Sequence, residues 1–228
     1  MSGTAGEPPP GPGGDARTQI LGRIRTALGP SPVVPEVPRE YRPRGGHEPG
    51  SAAVRDLLAH RLTDYRAEVR QCPEVQIPGT VAAALNDHQV RWLVVPAGLP
   101  PAWLAAAGET DRLTDLPEDP LDVAALDGSD AVLTGCAVAI AETGTIVLDA
   151  SAGQGRRALS LVPDLHIVVV RPEQIVQTVP EALTVLDPRR PLTMISGPSA
   201  TSDIELNRVE GVHGPRTLVV VLASPPGE

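Results

Sequence analysis

Three short loops of this sequence carry residue types from which a small-molecule site can be built. The first, Ala141-Glu142-Thr143-Gly144-Thr145, places a carboxylate beside hydroxyls and a glycine between two apolar segments. Glu142 can act there as a nucleophile, a base or a cation ligand, and Gly144 permits a backbone of positive φ. Thr143, Gly144 and Thr145 are candidate ligand-binding residues. The alternative is a hairpin turn with a solvated Glu142, and the local sequence leaves both interpretations open.

The second loop follows a predicted strand that ends at Ser196 and precedes a short helix predicted to begin near Asp203. Amides at a helix N-terminus and serine hydroxyls both favour an anion. Ser196, Gly197, Ser199 and Glu205 are therefore candidate anion-binding residues, and Asp203 is a candidate catalytic residue. The alternative is that Asp203 and Glu205 only cap the helix, since both are negatively charged.

The third loop is Gly211-Val212-His213-Gly214-Pro215-Arg216, directly before the last predicted strand. His213 can transfer a proton near neutral pH, or bind an anion when it is charged. Gly214 and Arg216 are candidate binding residues, and the Arg216 guanidinium can hold a carboxylate through two hydrogen bonds. A surface turn is the alternative.

A weaker signal is the pair Arg156-Arg157 after two glycines, where a phosphate could bind but a solvated loop is favoured. The dinucleotide-binding and P-loop glycine patterns are missing, as is the G-x-S-x-G serine elbow. The histidines and cysteines lack zinc-like spacing, so no metal site is predicted. His166, inside an apolar run, is interpreted as structural.

Apolar periodicity supplies the elements that position these loops. Helices are predicted over 15–28, 51–70, 79–87 and 173–186, with a turn or two over 101–107 and a connection over 108–128. Strands are predicted over 92–96, 165–170, 192–196 and 217–222, with up to three more in 131–150, broken at Gly135 and Gly144. Short apolar strands that alternate with helices predict an α/β fold with a mostly parallel sheet flanked by helices. Ligand loops are expected at the carboxyl ends of such strands, where the three loops should converge.

The chain divides into three predicted regions. Residues 1–14, rich in Gly and Pro, are predicted to be a disordered tail. Residues 15–49 are predicted to form an N-terminal helix and a Pro-rich linker, and residues 50–224 a single α/β domain.

Charge and composition exclude several classes of function. A net charge of −9 repels nucleic acid and anionic membranes, and four aromatic residues are too few for a base-stacking surface. Two cysteines cannot supply the four thiolates of a usual iron–sulfur cluster, so we expect no cofactor on this chain. The sequence lacks a signal-peptide pattern and a run of roughly 18 apolar residues, which predicts a cytoplasmic protein without a membrane span.

Taken together, these motifs resemble the LUD domain family. The resemblance covers roughly residues 15–223. It rests on the segments Ala141–Leu148, Arg157–Val170, Ile195–Ser199, Ser202–Glu205 and Gly211–Arg216. It implies a fold similar to the ribose-5-phosphate isomerase and CoA-transferase group (the NagB/RpiA/CoA-transferase-like fold). It also implies an accessory role in oxidising L-lactate to pyruvate, beside two partner chains that carry iron–sulfur clusters, and a small carboxylate or other anionic ligand.

One departure from the family is Ala200, which stands where the family usually has arginine. If that arginine binds an anion, then Arg156, Arg157 or Arg216 can replace it.

Two other functions stay open. The Glu142-Thr143-Gly144 segment is similar to the Glu-x-Gly of CoA-transferases, which makes a stand-alone CoA-transferase-like or phosphosugar-isomerase-like enzyme an alternative, with Glu142 as nucleophile or base. A second alternative is a regulatory subunit that binds a carboxylate without chemistry.

Overall fold

The structure is a computed structural model that describes residues 12–30, 36–38, 44–201, 209–210 and 214–225, with the backbone alone for 12–15, 200–201 and 209–210. The chain divides into two compact units, Met1–Tyr41 and Arg42–Glu228. The first contains helix α1 (Pro12–Leu28), which begins three residues before the predicted start at Asp15. It ends at Leu28, and the next residue, Gly29, has a φ of +73° and donates its N–H to the Arg25 carbonyl, as expected for a glycine-terminated helix.

The second unit contains four further helices and twelve strands among its described residues. The helices are α2 (Ala52–Asp64), α3 (Ile77–Asp87), α4 (Val123–Asp127) and α5 (Val179–Val185). The first six strands are β1 (Glu68–Pro73), β2 (Trp92–Pro96), β3 (Asp111–Asp115), β4 (Ala131–Thr134), β5 (Val138–Ile140) and β6 (Thr145–Leu148). The others are β7 (Leu165–Val170), β8 (Ile175–Val176), β9 (Thr193–Ile195), β10 (Ala200–Thr201), β11 (Val209–Glu210) and β12 (Thr217–Ser224).

The main sheet has six strands in the order β1-β12-β7-β4-β2-β3, and every neighbouring pair is parallel. A second sheet has four strands in the order β8-β5-β6-β9, with parallel and antiparallel pairs. The predicted α/β class, with a mostly parallel sheet flanked by helices, is confirmed. The second sheet was not predicted.

Side-chain alternation along the central strands builds two aliphatic layers. In β7, Ile167 and Val169 face α3, while Val168 and Val170 face α2 and the four-stranded sheet. Helix α5 covers the other face of the four-stranded sheet through Ala182. The described elements therefore stack as α3, the main sheet, α2 with the small sheet, and α5.

Residues 44–50 are connected to the small sheet and α5 by hydrogen bonds that their backbone amides donate. The Gly45 N–H donates to Glu181 Oε1 at 3.0 Å, and the Gly50 N–H donates to the Ile175 carbonyl at 2.8 Å. Burial alone would raise the pKa of Glu181, but the amides of Gly45 and Thr178 outweigh it and lower that pKa below its usual value. Thr178 and Glu181 also form a capping box that begins α5.

Three predicted elements were wrong in extent. The helix predicted over 51–70 ends at Asp64, because Arg66 takes a φ of +67° and the chain continues into β1. The predicted connection over 108–128 contains β3, an edge strand whose mostly exposed polar side chains hid it, and α4. The helix predicted over 173–186 is a 3₁₀ turn, strand β8 and α5, because β8 pairs with β5.

The other strand predictions are confirmed within about two residues. Strands β4, β5 and β6 are separated near Gly135 and Gly144 as expected. The helix predicted near Asp203 lies outside the described residues. The described part of the chain contains no helix long and apolar enough to cross a membrane.

We expect Ile146→Ala to destabilise the domain by about 2–5 kcal/mol, because Ile146 is fully buried between the two sheets. Met194, on the neighbouring strand β9, is 55% exposed, so Met194→Ala should change the free energy of unfolding by less than about 0.5 kcal/mol. Urea denaturation followed by circular dichroism measures both values. Equal effects of the two substitutions would contradict the placement of Ile146 in the core.

Candidate functional site

Two of the predicted loops meet at one edge of the small sheet. Strands β6 and β9 are antiparallel neighbours, so Thr145 at the start of β6 lies beside Ser196 at the end of β9. Their hydroxyl oxygens are 2.8 Å apart, and the Thr143 and Thr145 hydroxyl oxygens are 2.7 Å apart. A chain of three hydroxyls therefore joins the Glu142 turn to the Ser196 loop.

The last turn of α2 fixes both loops through two glycines. Gly144 has a φ of +59°, as predicted, and a Cβ added there would lie 2.8 Å from the Arg61 Cβ. Gly197 has a φ of +89°, and an added Cβ would lie 2.6 Å from the Tyr65 carbonyl oxygen. Larger residues would both strain the backbone and push α2 away.

The Ser196 loop forms one wall of a cavity of about 250 Å³. The described wall consists of Arg157, Ser160, Leu161, His166, Thr193, Met194, Ile195, Ser196, Gly197, Pro198, Ser199, Gly214, Pro215 and Leu218. His166 and Leu218 are each the second residue of a main-sheet strand. The cavity therefore lies at the amino ends of β7 and β12, whereas the sequence predicted a site at the carboxyl ends.

The described wall is suited to an anion. Its charged residue is the exposed Arg157, and it contains the hydroxyls of Ser160, Ser196 and Ser199 but no carboxylate. The Ser199 N–H donates to the Pro215 carbonyl at 2.9 Å, which joins the second and third predicted loops. Charge-assisted hydrogen bonds from a guanidinium and hydroxyls can hold a small carboxylate here.

His166 is the cavity residue that the sequence analysis interpreted as structural. It is fully buried, and its Nε2 lies 2.8 Å from the buried Thr134 hydroxyl oxygen. Its Nδ1 has no hydrogen-bond partner among the described residues. Burial lowers the pKa of His166 to about 4, so the imidazole is neutral near pH 7. An unpaired buried polar atom costs about 1–3 kcal/mol, so this one calls for an explanation.

Glu142 lies beside the cavity edge but is not among the residues of its described wall. Its Oε1 accepts a hydrogen bond from the Gln177 side-chain amide at 3.2 Å, and its N–H donates to the Gln177 carbonyl at 3.0 Å. These bonds turn the half-buried Glu142 towards the end of β8. Its proposed chemical role stays a prediction.

The three arginines named in the sequence analysis lie in different parts of the structure. Arg216 pairs with the exposed Asp164, which raises the pKa of the guanidinium, and does not contribute to the described wall. Arg156 pairs with the buried Asp115 in a different cavity, with Nε 3.1 Å from Oδ2. Arg157 alone of the three belongs to the described wall beside Ser196. Predicted residues His213, Asp203 and Glu205 lie outside the described residues.

The carboxyl ends of β2 and β4, the usual ligand crevice of a parallel sheet, are covered by the chain itself. The Gly98 N–H donates to the Ala152 carbonyl at 3.1 Å, and the Gly135 N–H donates to the Gly153 carbonyl at 2.9 Å. A mostly apolar cavity of about 360 Å³ remains beside this segment, closed on one side by the pair Arg156–Asp115.

Metal-binding and thiol chemistry receive no support from the part of the chain that the structure describes. It contains no group of three or more His, Cys, Asp or Glu side chains placed to hold a metal ion. Cys136 is fully buried, and burial raises the pKa of its thiol to about 12. This thiol is therefore protonated and unreactive near neutral pH.

Comparison with known proteins identifies the relatives of this chain. The model of the LUD domain matches residues 123–223. Lactate utilization protein C of Deinococcus radiodurans is 49% identical over 207 residues, which cover 89% of each chain. The chain belongs to the LUD domain family. This confirms the resemblance inferred from the sequence motifs.

More distant relatives and a solved structure agree with this assignment. Lactate utilization protein C of an Exiguobacterium species is 28% identical over 219 residues, which cover 90% of this chain and 95% of the relative. The crystal structure of a DUF162 family protein from Deinococcus radiodurans is 45% identical, with a TM-score of 0.63, over 75% of this chain and 97% of that one. The family match spans strands β4 to β9 and most of β12, and so the described cavity wall.

We expect Gly197→Ala to destabilise the domain by about 1–3 kcal/mol, since alanine is strained at this φ and its Cβ would meet the Tyr65 carbonyl. The matched control is Gly79→Ala in α3, where an added Cβ meets nothing within 4 Å. That substitution should stabilise the domain by up to about 1 kcal/mol, because alanine favours the helix. Urea denaturation midpoints show the direction of both stability changes. If Gly197→Ala leaves the midpoint unchanged, α2 does not fix this loop.

Proposed function

We propose that this chain is an accessory subunit of a lactate-utilization system. It holds a small carboxylate in the cavity beside Ser196, and partner chains carry the iron–sulfur clusters that accept electrons. Oxidation of L-lactate to pyruvate releases two electrons and two protons, and the electrons pass to those clusters. The observation that carries the proposal is the 49% identity to lactate utilization protein C of Deinococcus radiodurans over 89% of both chains.

The composition of the cavity supports a carboxylate ligand. The described wall contains the guanidinium of Arg157 and the hydroxyls of Ser196 and Ser199, while the Ser160 hydroxyl donates to the Arg157 carbonyl. Arg157 is also the arginine best placed to compensate for Ala200, because Arg156 and Arg216 are paired with Asp115 and Asp164. Cavities for drug-sized ligands run from about 300 to 1,000 Å³, so a smaller one suits a ligand of few heavy atoms.

The stand-alone enzyme with Glu142 as nucleophile is the weaker alternative. Glu142 is held by Gln177 and is not part of the described wall that contains Arg157. A nucleophile must reach the bound substrate, and Glu142 does not line the described part of the cavity. A regulatory carboxylate-binding subunit would use the same cavity, and expression of the other lactate genes in the deletion strain below separates it from the accessory subunit.

We expect deletion of the gene in the source organism to abolish growth on L-lactate as sole carbon source and to leave growth on pyruvate unchanged. Pyruvate is the matched control, because its use bypasses the oxidation step alone. Affinity purification of the tagged chain from lactate-grown cells should recover cysteine-rich proteins that contain iron and acid-labile sulfide. Normal growth of the deletion strain on L-lactate would contradict the proposal, and reduced expression of the other lactate genes would favour the regulatory subunit.

Complementation of the deletion strain with variants tests the cavity. Arg157→Ala should restore growth on L-lactate at most weakly, because the wall loses its described cation. Arg189→Ala is the matched control, since the Arg189 side chain is 88% exposed and pairs with the nearby Asp187. This control should restore growth fully. Full rescue by Arg157→Ala, at wild-type protein abundance, would remove the cavity from the proposal.

A further inference from the structure

His166 is a polar interruption in the aliphatic layer between the main sheet and the small sheet. Its strand neighbours Val168 and Val170 and its partner Leu218 are all buried in that layer. If His166 served packing alone, we would expect both ring nitrogens to have hydrogen-bond partners. Otherwise an aliphatic residue could stand in its place with no loss of stability. Here Nε2 meets the Thr134 hydroxyl, while Nδ1 has no partner among the described residues and the ring forms part of the cavity wall.

The contact with Thr134 lets Nδ1 act in either hydrogen-bonding role. A hydroxyl is both a donor and an acceptor. When the Thr134 hydroxyl donates to Nε2, the ring proton is on Nδ1, which then donates. When Nε2–H donates to the Thr134 oxygen, Nδ1 is unprotonated and accepts. The ring stays neutral in both tautomers, and exchange between them moves no net charge into the buried layer.

We propose that His166 and Thr134 recognise the oxygen on the second carbon of a short carboxylate bound in the cavity. The inference rests on the proposed function and names the ligand class as 2-hydroxy and 2-oxo acids. Nδ1 accepts from the hydroxyl of a 2-hydroxy acid and donates to the carbonyl of a 2-oxo acid. Arg157 and the hydroxyls of Ser196 and Ser199 bind the carboxylate, and a small alkyl group packs on Leu218 and Ile195. His166 is a specificity-determining residue in this arrangement.

Contact with Nδ1 requires a small movement of the wall, because His166 has no solvent-accessible surface. Leu161 lines the cavity and is 37% exposed, so its side chain has room to turn aside. Rotamer changes of half-exposed side chains are fast and small in free energy compared with backbone movement.

The test is a titration of the full chain with L-lactate, pyruvate and propionate, followed by ¹⁵N–¹H spectra of the backbone amides and of the imidazole nitrogens. Propionate has the carboxylate and the alkyl group but no oxygen on the second carbon. One neutral hydrogen bond corresponds to about a three- to ten-fold change in Kd, so lactate and pyruvate should bind that much more tightly than propionate. Both should shift the Nδ1 resonance of His166, which propionate leaves in place.

Variants separate recognition from folding. His166→Phe keeps an aromatic ring at this position but removes both nitrogens. The Kd of lactate should then rise to that of propionate, and the Kd of propionate should stay unchanged. Thr134→Val removes the hydroxyl that pairs with Nε2 in both tautomers and should reduce the preference for lactate. Thr134→Ser keeps that hydroxyl and should retain the preference. If His166→Phe does not fold, the Thr134 pair still decides the question.

A pH series distinguishes a neutral imidazole from a charged anchor for the carboxylate. In the proposed arrangement, the Kd of lactate and the Kd of propionate each stay constant between about pH 5.5 and 8. Arg157 is the ionisable group of the described wall besides His166. His213 lies outside the described residues, so the series is repeated with His213→Gln. A Kd for propionate that falls as strongly as that of lactate at low pH would overturn the neutral role.

The outcomes separate this inference from the proposed function. Equal affinity of the wild-type chain for lactate, pyruvate and propionate would overturn the role of His166 and leave the carboxylate site standing. Unchanged preference in both His166→Phe and Thr134→Val would do the same. Absence of binding of all three acids at millimolar concentration would overturn the proposed cavity site together with this inference.

Discussion

The structure depends on one aliphatic layer, which is buried between the six-stranded sheet and the four-stranded sheet with α2. The chain has no phenylalanine, so Val, Leu, Ile and Ala must fill this layer by close approach of the backbones. Glycines permit that approach at the edge of the layer, where Gly144 and Gly197 meet the last turn of α2. The loops after β5 and β9 therefore cannot shift independently of the core.

This constraint also explains where polar groups gather. Hydroxyls of Thr143, Thr145 and Ser196 form a chain along the edge of the small sheet, where the layer opens towards solvent. Inside the layer, the pair of His166 and Thr134 is held among aliphatic side chains, with one ring nitrogen lacking a described partner. A rigid surrounding of this kind positions a neutral hydrogen-bonding group more precisely than a surface loop can.

The location of the cavity at the amino ends of β7 and β12 follows from the way the second sheet joins the first. In open parallel sheets the ligand usually binds where neighbouring loops part at the carboxyl ends. Here the carbonyls of Ala152 and Gly153 accept hydrogen bonds from Gly98 and Gly135 across that opening, so the chain fills its own crevice. The small sheet packs with α2 against one face of β7 and β12, and the cavity lies beside His166 at the amino end of β7. The pairing of β6 with β9 places Ser196 at this gap.

Features of the fold and the site could be predicted where their sequence signal is local. Features that arise from the pairing of distant strands could not. Continuous apolar runs such as Leu165–Val170 marked the buried strands, and glycines marked the breaks between β4, β5 and β6, because both signals are local in sequence. The edge strand β3 carries exposed polar side chains and was missed for that reason. No local pattern could tell that β5 and β6 leave the main sheet, since their composition suits either sheet. The one local signal at His166 was its position as a polar residue in an apolar strand. Only the pairing of the strands, which places the Ser196 loop beside it, indicates that His166 lines a cavity.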